Sequence, residues 1–443
     1  MDDLRQIMAH WQTIAAAVIF LASYAFIISE KINRSTVAVS GAVLLILLGI
    51  VDLHTAYTVH IHWETIFLLL GMMIIVGITS KSGFFQYIAI KAAQSAKGDP
   101  VKIMTRLAVL TAFGSAFVDS VTMVLLMVPV TIAICRTLNL NPVPFLIVEI
   151  IMCNIGGTAT LVGDPPNIMI GTVAGLSFND FLLHLTPIIL LIAFLTLAYL
   201  KFHYAKYLKI SEECKLKLMD IDATDCISDV ALAKRSLFVF ALTLLGFLTH
   251  QLFNLEPATI ALAGATLLML LGAKKVEAEE VFHSIEWVTI FFFAGLFILV
   301  GALVDVGIIG KLAKWMIDIT GGSHTAMSFT MLWGAGVASS FIDNIPLVAT
   351  TIPLVQDISV QLNLTSTELN TVWWALSLGA CLGGNGTLIA SAANMVVACT
   401  AAREGAPISF VEFIKIGIPI TLVTLVLATL YVWIVFVVLG FVK

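Results

Sequence analysis

One register runs twice through this 443-residue chain. Trp63, Thr65, Ile66, Phe67, Gly71, Ile74, Val76, Gly77 and Gly83 recur 224 residues later as Trp287, Thr289, Ile290, Phe291, Gly295, Ile298, Val300, Gly301 and Gly307. Ser115, Phe117, Asp119 and Pro129 recur at the same spacing as Ser339, Phe341, Asp343 and Pro353. Gly156-Gly157-Thr158-Ala159-Thr160-Leu161 returns 227 residues on as Gly383-Gly384-Asn385-Gly386-Thr387-Leu388, and Asn167 as Asn394. A register held over so many positions marks a duplicated unit, so any fold must be built from two like halves.

The solvent of those halves follows from composition. Apolar residues make up 60% of the chain and charged residues 12%, against a usual ~45–50% and ~25%. So few charges cannot cover a water-facing surface, and the chain reads as an all-α polytopic membrane protein. Collagen, a disordered chain and a nucleic-acid binder are excluded. Cys135, Cys153, Cys214, Cys226, Cys381 and Cys399 form no CxxC pair and no zinc spacing. His54, His60 and His62 match no zinc motif. No Gly-rich loop ends in Gly-Lys-Ser/Thr, so no ATP site of that type is expected, nor any cofactor or enzyme activity. The opening segment lacks a basic region and a small-residue cleavage site, so no cleaved signal peptide is expected.

Apolar spans run over 11–28, 36–51, 65–79 and 181–200, then over 237–253, 259–272, 288–303 and 413–442. Stretches 102–138 and 328–360 each carry Asp near the middle, while 144–175 and 369–402 are interrupted by glycine-rich polar runs. Asp119-Ser120 and Asp343-Asn344-Ile345-Pro346 are turn chemistry, which predicts two re-entrant hairpins. Each half then crosses five times, giving about ten transmembrane helices, and an odd number inverts the second half relative to the first. On this topology 19 of the 23 basic residues fall on one side, leaving Arg5, Lys311, Lys314 and Lys443 on the other. That side is cytoplasmic by the positive-inside rule, and both termini lie outside. The expected organisation is a first inverted repeat 1–200, a cytoplasmic linker 201–236 (Lys201, Lys206, Lys209, Glu212, Glu213, Asp220, Asp222, Asp225) and a second repeat 237–443.

Irregular backbone survives at membrane depth only inside protein or beside a wet cavity. Four polar interruptions fall there: the two Asp-bearing tips and the runs 156–167 and 383–394. Glycine permits close approach, Pro165-Pro166 starts a new helix after Gly163-Asp164, and each break frees N–H and C=O ends that bind polar solutes. Glycine and proline also serve packing and kinks, but four symmetric breaks with polar side chains exceed that need. Expected solute-lining residues are Asp119, Ser120, Thr122, Gly156, Gly157, Thr158, Thr160, Asp343, Asn344, Gly384, Asn385, Thr387 and Asn394. An intramembrane acid costs at least ~2.5–3.5 kcal/mol and is functional by default. Asp164 is therefore the first candidate to carry a proton, with Asp119, Asp343 and Glu149 behind it. No Lys or Arg is read at the breaks, although Lys102 and Arg106 lie near the start of the first hairpin. Acids without a basic partner favour a proton, a cation or a neutral hydroxylic solute. Cys153 and Cys381 occupy near-equivalent places; thiols suit soft metalloids, but buried Cys is usually a small hydrophobe.

Asn154-Ile155-Gly156-Gly157-Thr158-Ala159-Thr160-Leu161-Val162-Gly163-Asp164-Pro165-Pro166-Asn167 resembles the signature of the ion transporter superfamily. Its Gly-Asp-Pro-Pro-Asn core is similar to the arsenite-permease and P-protein-like branch. The run from Gly383 to Asn394 resembles the second-half counterpart, and Phe117-Val118-Asp119-Ser120 and Phe341-Ile342-Asp343-Asn344 stand where dicarboxylate carriers have Ser-Asn-Thr tips. The superfamily includes arsenite/antimonite carriers, sodium/proton antiporters, dicarboxylate carriers and the melanosomal P protein. The resemblance implies an elevator-type secondary transporter of the inner membrane, with a fixed scaffold and a mobile transport domain. It implies arsenite and antimonite efflux in exchange for protons, with a sodium- or proton-coupled anion carrier or a sodium/proton antiporter as alternatives. Relatives of this type also suggest a homodimer and, as in some arsenite permeases, a soluble ATPase docked on the 201–236 loop.

Overall fold

The structure, a computed structural model, describes residues 2–29, 31–206, 208, 218–219, 222–272 and 277–442, with side chains from residue 10 onward. Lys209, Glu212, Glu213, Cys214, Asp220, Lys274, Lys275 and Lys443, and the side chain of Arg5, lie outside the described residues. Leaving aside short helical turns, the first half is α1 (Asp2–Ser29), α2 (Arg34–Leu47), α3 (Trp63–Lys81), α4 (Phe84–Ser95), α5 (Pro100–Ser115), α6 (Ser120–Thr137), α7 (Val143–Gly157), α8 (Pro165–Ala174) and α9 (Thr186–Tyr204). The second is α10 (Val230–Phe253), α11 (Pro257–Gly272), α12 (Trp287–Asp305), α13 (Ile308–Thr320), α14 (His324–Ser339), α15 (Asn344–Leu362), α16 (Ser366–Gly383), α17 (Ala392–Arg403) and α18 (Phe410–Tyr431). No strand occurs among the described residues.

Local chemistry sets these boundaries. Asp99 caps α5 through the N–H groups of Val101 and Lys102, ahead of Pro100. Asp229 caps α10 in the same way, and Thr365 with Glu368 forms a capping box at α16. The expected span 181–200 is corrected: Phe178–His184 is a separate short helix with its own Ser177/Asp180 capping box, and Pro187 starts α9 at Thr186. The expected span 413–442 is also shorter as an α-helix, because α18 passes into a π-helical turn over Val432–Val438.

Among the described residues, α1, α3, α6, α9, α10, α12, α15 and α18 are long and apolar enough to cross a membrane, and α2, α7 and α11 are shorter apolar helices. α3 and α12 have 19 residues each, about 28 Å at ~1.5 Å per residue. α8 and α17 have 10 and 12 residues and are too short to cross alone. Phe194, Phe202, Leu252 and Leu270 expose large apolar side chains, a surface suited to lipid. The second arms of the two Asp-centred stretches, α6 and α15, are themselves of spanning length.

The halves interlock reciprocally. α3 packs against α11 of the other half, and α12 against α2. A Cβ on Gly71 would lie 2.6 Å from the carbonyl carbon of Ala261, and one on Gly295 2.6 Å from that of Ala38. Only glycine admits backbones this close. Lys81, the last residue of α3, pairs with Glu280 at 2.7 Å; Asp305, the last residue of α12, pairs with His60 at 2.9 Å. The linker residues Ala223–Cys226 form a short 3₁₀ turn, and Ser228 bonds Lys81 and Ser82 at the end of α3.

Candidate functional site

Each Asp-bearing tip is a helix cap. Asp119 accepts from the N–H of Val121 (3.0 Å) and Thr122 (3.2 Å) and from the Thr122 hydroxyl, so it starts α6 after the turn that ends α5. Asp343 accepts from Ile345 N–H at 3.0 Å and starts α15. Asp164 differs: it precedes Pro165 with extended backbone and its carboxyl makes no cap bond.

The glycine-rich runs are true helix breaks. α7 stops at Gly157 and α8 begins at Pro165; α16 stops at Gly383 and α17 begins at Ala392. Asn167 closes the first break by donating to the carbonyls of Thr158 (3.1 Å) and Thr160 (2.9 Å). Asn394 closes the second through the carbonyls of Gly384 (2.7 Å) and Thr387 (2.9 Å). Each break is also tied to its hairpin. Thr160 donates to Ala116 O, and Thr387 to Ser340 O at 2.7 Å. Ser115 donates to Cys153 O at 2.8 Å, and Ser339 to Ala380 O at 2.6 Å. These are the carbonyls and hydroxyls that end-of-helix backbone requires to be met.

Bonds between and within the halves bring all four breaks together. Asn344 of the second tip donates to Asp164 Oδ2 at 3.1 Å. Asn154 Nδ2 donates to the side-chain oxygens of Asn385 and Asn394, both at 2.9 Å. Ser377 on α16 donates to Asn167 Oδ1 at 2.6 Å. Ser120 ties the first tip to Gly163 O at 3.1 Å. Asp164 is within electrostatic reach of both Asp119 and Asp343, and Glu286 of Asp119. All of these except Asp343 and Glu286, which are half-buried, are buried. The Nδ2 group of Asn385 is buried with no hydrogen-bond partner among the described residues, a donor at the centre of the breaks. Among the described residues, no three His, Cys, Asp or Glu side chains converge on one metal position.

The expected site residues divide by placement. Asp119, Ser120, Asp164, Asp343, Asn344, Asn385 and Asn394 are brought together, with Thr122 held on Asp119. The hydroxyls of Thr158, Thr160 and Thr387 donate to backbone carbonyls and build the frame. Gly156 faces α5, where a Cβ would lie 2.0 Å from Ala112 O. Gly157 sits where a Cβ would meet Ser120 and Gly163, and Gly384 lies beside Asn154. Gly156→Ala is therefore expected to cost about 1–3 kcal/mol of overpacking, read as a lower thermal unfolding midpoint in detergent. Glu149 lies apart from the cluster, accepting from Thr131 at 2.6 Å between α6 and α7. The thiols of Cys153 and Cys381 bond Ser115 and Asn167.

One expectation is overturned. A basic residue does reach the breaks: Arg34 Nη1 lies 3.2 Å from Asp343 Oδ2, while Nη2 donates to Thr289 Oγ1 at 3.4 Å and the guanidinium sits 5.1 Å from the Phe292 ring centre. Arg34 is the first residue of α2 and counts with the loop in sequence, but its long side chain extends to the tip of the other half. Lys102 and Arg106 instead pair with Asp99 and Ser95. Tyr24 donates to Pro346 O at 2.7 Å beside the same tip. Tyr24, Arg34, Asp343 and Pro346 line a cavity of about 280 Å³. Sequence reasoning also passed over Asn154 and Ser377 as site residues, although Asn154 opens the signature run 154–167.

Comparison with known proteins identifies this architecture. A family described as "CitMHS: Citrate transporter" matches residues 24–379. The chain belongs to the citrate transporter family. It is thus a multi-pass membrane transporter of the ion transporter superfamily and not an enzyme. The uncharacterized transporter Rv2684 of Mycobacterium tuberculosis is 42% identical over 425 residues, covering 95% of this chain and 98% of its own. The P protein of Mus musculus is 33% identical, aligned with 96% of this chain, which spans 61% of the P protein. In structure the chain is similar to the Alcanivorax borkumensis YdaH transporter, with a TM-score of 0.57 at 13% identity over 97% of this chain and 99% of that one. Neisseria gonorrhoeae MtrF, described with a class of antimetabolite efflux pumps, gives 0.56 at 11% identity, covering 88% and 84%. At such identities the likeness concerns the fold alone.

Proposed function

We propose that the chain is a proton-coupled secondary transporter built from two inverted repeats, 1–200 and 237–443, with the linker 201–236 in the cytoplasm and both termini outside the inner membrane. The helices around the four breaks (α5–α8 and α14–α17) move as a transport domain past the scaffold pairs α3/α11 and α12/α2. The observation that carries the reading is the contrast among the three Asp residues at the breaks. Asp119 and Asp343 are committed to helix caps, whose N–H donors a neutral carboxyl would satisfy less well. Asp164 has no cap to lose; its carboxylate accepts from Asn344 of the opposite half and lies against the Cys381 thiol. It can take a proton and turn from acceptor to donor, so that proton and solute compete for the same group.

The solute is arsenite or antimonite, leaving the cell as protons enter. Trivalent arsenic is a neutral trihydroxide near neutral pH. Such a solute offers hydroxyl donors to Asp164 and acceptors to the Asn385 amide, and it is not repelled by an acid-rich site. A second reading is supported by Arg34 and by the family's description: a carrier of citrate-like anions in which Arg34 holds a carboxylate and co-loaded cations offset Asp119 and Asp164. Proteoliposomes holding the purified chain distinguish the readings. Arsenite or antimonite flux that collapses an imposed pH gradient is the expected result. Citrate uptake with no metalloid-driven proton movement would establish the second reading, and sodium-driven proton movement with neither solute would replace both by cation exchange.

A further inference from the structure

The contact between Arg34 and Asp343 has a missing counterpart. In this conformation Asp343 rests on a seat made by one scaffold pair, α2 and α12: Arg34 bonds both Asp343 and Thr289, and Thr289 donates to Glu286 at 2.9 Å. The other scaffold pair, α11 and α3, has the same packing, as the reciprocal contacts of Gly295 with Ala38 and of Gly71 with Ala261 show. At the 224-residue register Thr289 matches Thr65, Glu286 matches His62, and Asp343 matches Asp119. Yet Thr65 Oγ1 is buried with no hydrogen-bond partner among the described residues, while Asp119 bonds the start of its own helix and lies within electrostatic reach of Glu286. One seat is filled and its equivalent holds an unmet hydroxyl, although buried polar groups are ordinarily satisfied.

We propose that the two seats are used alternately: Arg34 and Thr289 hold Asp343 in the present access state, and Thr65 receives Asp119 in the opposite one. This rests on the inverted-repeat reading, because two mirror-related halves exchange conformations when access switches. Thr65 is then unmet for the reason that its partner is at the far end of its travel. The seats are unequal in charge. By the Ala38–Ala261 correspondence Arg34 matches Pro257, so the second seat has no guanidinium and offers His62 where the first has Glu286. Arg34 is thus a positioning residue that biases the resting conformation toward the state described here, and it acts on access rather than on solute chemistry.

The test is cross-linking in the full-length protein freed of its six native cysteines and reconstituted without solute or ion gradient. The Thr289→Cys/Asp343→Cys pair and the Thr65→Cys/Asp119→Cys pair are each treated with a short bifunctional thiol reagent. Both pairs should bridge, and a chain carrying all four cysteines should form either bridge but never both. Failure of the Thr65/Asp119 bridge where the Thr289/Asp343 bridge forms would overturn the proposal, as would failure of the latter or formation of both in one molecule. Should a double variant misfold, Arg34→Gln supplies a second readout. Met395→Cys, which lines the same cavity as Arg34, should change its labelling by an impermeant maleimide at least tenfold, with Arg34→Lys restoring it; unchanged labelling contradicts the role. Absence of metalloid flux alongside mutually exclusive bridges would retire the solute reading and leave the two seats standing.

Discussion

Asp164→Asn is expected to lower proton-coupled flux by about 10- to 100-fold, because a charged hydrogen bond is worth ~1.5–3 kcal/mol and each ~1.4 kcal/mol is tenfold. The amide keeps the size of the carboxyl and leaves the α8 cap unaltered, since Asp164 makes no cap bond. What it loses is the ability to alternate between charged acceptor and neutral donor toward Asn344. Solute binding should survive better than coupling. In proteoliposomes the variant should still exchange labelled solute for unlabelled while no longer moving protons with it. Equal losses in exchange and coupling would point to a structural role for Asp164, and undiminished coupling would remove it from the mechanism. Glu149→Gln, outside the cluster, should leave coupling intact.

The second large effect is on the frame. Asn167→Leu should destabilise the folded protein by roughly 3–9 kcal/mol, because it leaves two buried carbonyls and one hydroxyl unmet at about 1–3 kcal/mol each. Those groups are Thr158 O, Thr160 O and the hydroxyl of Ser377. Leu keeps the branching of Asn and is larger, so no cavity is created and overpacking adds to the polar loss. Asn394→Leu removes the corresponding bonds to Gly384 and Thr387 and the acceptor for Asn154, and should cost a similar amount. The measurement is the thermal unfolding midpoint of purified protein in detergent, set beside its monodisperse fraction. A midpoint within error of the parent chain would mean that these breaks are held by packing alone.

Most of what positions the site was legible because it is written locally and written twice. Asp119 and Asp343 announce helix starts, Pro165-Pro166 announces a restart, and the paired Asn167 and Asn394 stand out by their register. What was hidden is long-range. Arg34 follows Asn33 at the start of α2 and looks like a loop charge; nothing nearby in sequence says that its guanidinium reaches a tip 309 residues on. Ser377 lies in an apolar helix and matches Ile150 of the first half, so the register carried no sign of its bond to Asn167. The threonines of the breaks were read as solute ligands from their polarity, whereas their hydroxyls answer carbonyls that the helix ends leave open. Glu149 was drawn toward the site by its nearness in sequence to Gly156, but two turns of α7 carry it to Thr131 instead.

An experimental density map of the protein in lipid nanodiscs tests the convergence of the four breaks most directly. It should place Asn344 within hydrogen-bond distance of Asp164, and Asn154 between Asn385 and Asn394, all near the bilayer midplane. Asp119 and Asp343 at opposite membrane surfaces, or continuous helix from Gly156 to Asn167 facing lipid, would contradict it.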